Sequence, residues 1–300
     1  MHVLALSFTP PLRADSLFGH LAATAVPGVE EWRGGAYRRA RRLRHGVGIV
    51  ALRPPMPGDR AVVARFDLDD DRDLDDAVAG CRRLLDLDAD PGAIDGVLAA
   101  DPVLAPGVAA APGRRLPRTH DVEELVLRAV LGQQVSTKAA RTHAGRLAAA
   151  AGETLDDPEG GLTHLFPTSA AVAAVDPAVL RLPERRRRLV LDLAAAMAAG
   201  ELAVGPGTDH ERALEQLLAT PGVGPWTAAI VAMRGFGDPD AFPASDLGVR
   251  VGAERLGLPG RPAPLQAHAE RWRPYRAYAV QHLWAAGDHE VNRLPVEAGG

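Results

Sequence analysis

The chain has 300 residues, 47% of them apolar and 4% aromatic, with 34 basic against 38 acidic side chains and a net charge of −4. That apolar content suffices for a large core in about two domains, while the acidic balance excludes a protein that coats nucleic acid by bulk charge and leaves only local basic patches for phosphates. One cysteine, Cys81, excludes an internal disulfide and a four-cysteine iron–sulfur cluster, and the histidines show no HxxxH spacing that would mark a zinc site. Cys81 reads as a small buried hydrophobe on a helix. No run approaches the ~18 apolar residues of a membrane span, and the opening MHVLALSFTPP lacks a basic n-region and breaks at Pro10 and Pro11. A cytoplasmic protein is expected.

Residues 1–88 mix strand-like runs, VLALSF, GVGIVAL at 46–52 and AVVARFDL at 61–68, with helical stretches at 16–26 and about 74–86. This predicts a small antiparallel α+β domain. The basic YRRARRLRHG at 37–46 reads as a solvated strand and turn. A Pro/Gly-rich connector spans about 102–118, and from Pro91 onward the pattern is helical, which puts a boundary near 88–112.

Asp121 with Glu124 predicts a capping box for a helix whose apolar face is Val122, Leu125, Val126, Ala129 and Val130. That helix ends in LGQQVST, where Ser136 caps the next. Four arginines, Arg185–Arg188, open a later helix; a solvated face is the plain reading, and one or two reaching a phosphate is the other. Leu214, Leu217 and Leu218, then Trp226, Ile230 and Met233, repeat at helical spacing on either side of Thr220–Pro225. In that joint Pro221 turns the chain, and Gly222 and Gly224 supply positive φ and room for close approach. The amides opening the second helix then favour an anion such as phosphate. Ser245 is expected to cap the next helix, with Asp246 in its first turn, where the helix dipole favours a carboxylate anion by about 0.3–1 kcal/mol. Taken alone, the joint also reads as an ordinary αα-turn and Asp246 as helix-end stabilisation. Trp272, Tyr275, Tyr278 and Trp284 at helical spacing read as core.

The segment LLATPGVGPWTAA resembles the helix-hairpin-helix motif, a sequence-independent gripper of the DNA backbone. Followed by Asp246 about twenty residues later, and together with RAVLGQQVS and RWRPYRAYAVQHLW, it resembles the helix-hairpin-helix DNA glycosylases over nearly the whole chain. Within them the likeness is to the bacterial AlkA type, the 3-methyladenine DNA glycosylases II. The resemblance implies an N-terminal α+β domain at 1–88, a curved sheet with two helices, and an all-α glycosylase core of two helical subdomains at 89–290. The hairpin motif would lie at about 211–235 and a tail at 291–300.

By the same resemblance Asp246 is the catalytic carboxylate and Trp226 and Trp284 line the base pocket. Ile230 replaces a pocket tyrosine and His20 a phenylalanine. Gln134 takes the place of the side chain that fills the gap left by the flipped nucleotide, where some relatives carry an aliphatic residue. Gly222, Gly224 and Thr227 bind the DNA backbone, and the carbonyls of Leu218, Thr220 and Val223 hold a structural Na+ or K+. No cofactor is needed for catalysis. Relatives that also cut the strand carry a lysine where Trp226 stands, and the sole lysine here is Lys138. The expectation is a monomeric, monofunctional glycosylase that removes alkylated bases from double-stranded DNA. The alternatives are a glycosylase for deaminated or oxidised bases, or a non-catalytic helix-hairpin-helix DNA-binding protein, which has no use for Asp246 or the tryptophan pair.

Overall fold

The computed structural model describes residues 1–287 and 289–295. Five strands, β1 (His2–Ser7), β2 (Glu30–Arg33), β3 (Ala36–Arg42), β4 (Val47–Arg53) and β5 (Ala61–Leu68), form one antiparallel sheet in the order β1-β5-β4-β3-β2. In β5 Val62, Ala64 and Phe66 point inward while Val63 is exposed, the period of two that marks a half-buried strand. They pack with Leu17, Phe18 and Leu21 of α1 (Ala14–Thr24) and Ala77, Cys81 and Leu84 of α2 (Leu74–Leu84). Burial pushes the Cys81 thiol up to about 12, so it behaves as a hydrophobe.

Two features of this half depart from the sequence reading. The polar strand β2 is absent from it. And β3, expected to be solvated, is buried: Arg38, Arg39 and Arg41 are 2%, 5% and 7% exposed. The cause is coverage on both faces: Tyr37 packs in the cluster with α1 and α2 on one side, and Leu162 and Leu165 pack against Ala40 and Ile49 on the other. Arginines of either parity must then find acidic partners. Arg38 Nη2 donates to Asp157 at 2.7 Å, and Arg39 bridges Glu30 and Glu124.

The remainder is helical: α3 (Pro91–Leu98), α4 (Ala105–Ala110), α5 (Val122–Leu131), α6 (Thr137–Ala151), α7 (Ser169–Ala173), α8 (Glu184–Ala198), α9 (His210–Ala219), α10 (Pro225–Ile230), α11 (Leu247–Arg255), α12 (Pro262–Ala269) and α13 (Arg276–Ala285). Helix α4 lies inside the stretch read as a connector. Asp121 caps α5 by accepting from Glu123 N at 2.8 Å and Glu124 N at 3.2 Å. The expected box is only half made, because the Glu124 carboxylate turns to Arg39 and Arg128 instead.

Helix α10 runs on as a π-helix, Val231–Phe236. Two apolar clusters fill this part, one among α5, α6, α8 and α9 and the other among α3, α4 and α11–α13. Helix α5 gives Val126 to the first and Leu125 to the second; the α10 run likewise gives Val231 and Met233. The two clusters therefore meet along a shared wall, and the candidate site opens beside it. Among the described residues no helix is long and apolar enough to cross a membrane.

Candidate active site

The joint between α9 and α10 is a tight turn closed by Val223 N donating to Thr220 O at 3.0 Å. Gly222 has φ +103°, a conformation L side chains rarely adopt, and a Cβ there would meet Leu189 Cδ2 at 2.9 Å. Gly224 differs from expectation: its φ is −104°, and it serves as the N-cap of α10, with open space where a Cβ would stand. Pro225 follows at the first helical position, where a missing N–H costs nothing, so the amides of Trp226 and Thr227 head the helix. Thr227 is 1% exposed, and its hydroxyl accepts from Gln133 Nε2 at 3.1 Å. Arg185 and Arg188 at the start of α8 line a hollow together with Pro221 of the hairpin.

The three carbonyls expected to hold a cation are hard, neutral oxygen donors. One of them, Thr220 O, already accepts the turn hydrogen bond and keeps a second lone pair. The donor set is chemically compatible with a monovalent ion.

Asp246 is itself the N-cap of α11, and Ser245 is an exposed neighbour rather than the cap. Asp246 Oδ1 accepts from Val249 N at 2.9 Å and from the Trp284 indole at 2.9 Å, while Oδ2 accepts from the Trp226 indole at 2.8 Å. All three donors are neutral, and none of the ion pairs among the described residues includes Asp246. The approach of Trp284 depends on glycine. A Cβ at Gly248 would stand 3.0 Å from Trp284 Cδ1, and one at Gly252 would stand 1.8 Å from Leu283 O. These glycines, four apart on α11, let α13 lie close enough for its indole to reach the carboxylate. The sequence reading passes over them, although a Gly-x-x-x-Gly stripe in a helix is a visible signal of close packing.

On its other side Trp284 faces His20 of α1, with ring planes 13° from parallel and centroids 6.4 Å apart. Burial holds His20 well below the usual imidazole range, and the positive field of Arg234, Arg128 and His289 adds to this; its Nε2 is buried without a partner. The ring is therefore neutral at physiological pH. Arg234, in the π-helical run, is pushed down to about 10 by burial and by Arg128, and its Nε donates to Pro117 O at 2.9 Å. Ile230 is 7% exposed and belongs to the apolar cluster that Trp226 and Trp284 border. Of the other aromatics, Trp272 is fully buried and donates to Asp101 at 2.8 Å, and Tyr278 donates to Asp86 at 2.8 Å; both are core.

Between α5 and α6, Gln134 is exposed with φ +55°, an uncommon conformation for a residue other than glycine. Its neighbour Gln133, which the sequence reading did not single out from the doublet, reaches the hairpin: Nε2 donates to Gly222 O at 3.2 Å and to Thr227 Oγ1 at 3.1 Å. Lys138 is exposed on the first turn of α6.

The AlkA N-terminal domain family matches residues 3–121, and the HhH-GPD superfamily of base excision DNA repair proteins matches residues 127–277. A Mycobacterium tuberculosis (strain H37Rv) protein, "Probable bifunctional transcriptional activator/DNA repair enzyme AlkA", is 55% identical over 292 residues, 97% of this chain but 58% of that relative, so the chain spans little more than half of its length. The Escherichia coli (strain K12) DNA-3-methyladenine glycosylase 2 is 35% identical across 93% of this chain and 95% of its own. In fold, a 3-methyladenine DNA-glycosylase from Archaeoglobus fulgidus superposes with a TM-score of 0.79 at 23% identity, covering 95% of this chain and 97% of that one. The chain belongs to the HhH-GPD superfamily of base excision DNA repair proteins, in the branch that carries the AlkA N-terminal domain.

Proposed function

We propose that this protein is a monofunctional DNA glycosylase that flips alkylated bases, 3-methyladenine and 7-methylguanine among them, out of duplex DNA and removes them by hydrolysis, leaving an abasic site. The observation that carries the reading is Asp246, oriented by three neutral N–H donors beside the facing rings of Trp284 and His20.

The glycosidic bond is shielded in the duplex, so the base must leave the stack, which is easiest for a damaged one. A ring alkylated at N3 or N7 is cationic and stacks favourably on tryptophan, by about 0.5–2 kcal/mol. The His20 and Trp284 ring centroids, 6.4 Å apart in nearly parallel rings, are separated by close to twice the ~3.4 Å rise of one stacked base, and a neutral imidazole does not repel a cation. The positive charge also makes the base a good leaving group, so no general acid is required. As the bond breaks the sugar becomes oxocarbenium-like; Asp246 stabilises it and orients or deprotonates the attacking water. At an effective dielectric of 20 and about 4 Å the attraction is about 4 kcal/mol, a ceiling of roughly a thousandfold in rate.

The indole at Trp226 in place of a lysine leaves no amine there for a Schiff base. Backbone grip falls to Gly222, Gly224 and Thr227 with Arg185 or Arg188 beside them, Gln134 fills the gap in the duplex, and a Na+ or K+ at Leu218, Thr220 and Val223 is structural. The apolar cluster among the sheet, α1 and α2 runs from Leu6 to Leu87, which supports a division near 88, with Val26 and Val29 packing across it onto the helical half. The protein acts as a cytoplasmic monomer without a catalytic cofactor.

The test is base release from methylated duplex DNA. Freed methylpurines with strands nicked only after alkali are the expected result. Release by an Asp246→Asn variant at the wild-type rate would overturn the mechanism.

A further inference from the structure

The hairpin and the Gln134 loop have different tasks in the reading just given, on which this inference rests. The hairpin meets phosphates and engages any duplex, whereas Gln134 has a place to go only where a nucleotide has left the stack. Two such contacts add fully only if they are held at a fixed separation, because a linked second contact forms at high effective concentration and a loose one does not. Gln133 sits between them. Its backbone amide donates to Val130 O at 3.2 Å and closes α5, and its side-chain amide donates to both Gly222 O and Thr227 Oγ1.

Only an amide or a cation offers two donors to that pair of acceptors, and a cation would add charge to a site next to phosphate. The next residue is Gln134, whose left-handed backbone persists only where its surroundings fix it. The far end of the loop is fixed separately, by Ser136 Oγ accepting from Ala139 N at 3.2 Å. The side chain that fills the duplex is thus tied to the hairpin through its immediate neighbour.

We infer that Gln133 is a positioning residue that couples the gap-filling loop to the hairpin, so that grip on the backbone and occupation of the vacated site act as one event.

The full chain is titrated into an undamaged duplex and into the same duplex carrying a tetrahydrofuran abasic-site analogue, with 2-aminopurine beside the analogue reporting stacking. Gln133→Met keeps the length of the side chain and removes both donors; Thr227→Val keeps the packing and removes one acceptor. Each should lower the preference for the abasic duplex about tenfold and blunt the 2-aminopurine change, and Gln133→Met should keep undamaged affinity within about twofold. The double variant should do no more than Gln133→Met, and Thr227→Ser should retain the wild-type preference. Equal loss on both duplexes, additive losses, or an unchanged preference in Gln133→Met would overturn the coupling alone. A wild-type protein with no preference for the abasic duplex would overturn the glycosylase reading and the coupling with it.

Discussion

Two groups of carboxylates in this protein are both fully hydrogen-bonded, yet they are prepared for opposite uses. Glu30 and Glu124, 6% and 3% exposed, are met by guanidiniums: Arg128 Nη1 lies 2.7 Å from Glu124 and 3.1 Å from Glu30, and Arg39 binds both. Their charge is cancelled where they stand, and what they do is join β2 and β3 to α5. Asp246 is met by two indoles and a backbone amide. Neutral donors orient a carboxylate without cancelling its charge, so its field remains for a cation that arrives or forms beside it. A count of hydrogen bonds would not separate the two; the charge of the donors does.

The largest effect that would test this contrast is on stability. Replacing Glu124 by Gln leaves the buried Arg39 and the half-buried Arg128 with one carboxylate between them, and we expect a loss of about 3–5 kcal/mol in denaturant unfolding. Acid should reproduce part of it. Burial raises Glu30, but Arg128 and Arg39, with donation from Tyr37 and Val26 N, more than reverse this and hold it at about 2, against 4.5 for a free glutamate. A depressed carboxylate contributes stability above the unfolded value and loses it as pH falls, so melting temperature should drop between pH ~4.5 and ~2. Glu30→Gln should flatten that drop.

In the other group the same type of change should spare the fold and stop the chemistry. Asp246→Asn should slow single-turnover base release by up to about a thousandfold while affinity for the abasic duplex stays within a few-fold. Trp226→Phe tests the donors themselves, since it keeps an aromatic face and removes one N–H from Oδ2. A hydrogen bond to a charged group is worth about 1.5–3 kcal/mol, so excision should fall about 10- to 100-fold. If the rate is unchanged, the indole serves only as a wall. The smallest effect is expected at Lys138: its replacement by Ala should leave excision within about twofold, and borohydride should trap no adduct with DNA.

Much of the candidate site was legible because its signals are local. Pro-Gly-x-Gly between two leucine-spaced helices specifies a turn through the conformational limits of those residues alone, and an aspartate at a helix start binds amides two or three residues away whatever else the chain does. Even there a detail slipped: Asp246 rather than Ser245 is the cap, and only Gly222 of the two glycines takes positive φ. The four arginines of Arg185–Arg188 open a helix as read, while the basic run at 37–46 is a strand and turn as read but is not solvated at Arg38, Arg39 and Arg41, because an arginine on a strand has the same local signature whether water or a carboxylate from another element receives it.

The sequence by itself determined the alternation of sheet and helix, the hairpin, the aspartate and the absence of a lysine beside it, since each follows from residues within a turn or two of one another. The tertiary structure alone decided which N–H groups hold Asp246, that His20 of the first helix faces Trp284 of the last, that Gln133 rather than Gln134 touches the hairpin, and which carboxylates are neutralised. Those contacts join surfaces far apart in the chain, and they exist only once both faces of β3 and the close-packed glycine side of α11 have been covered.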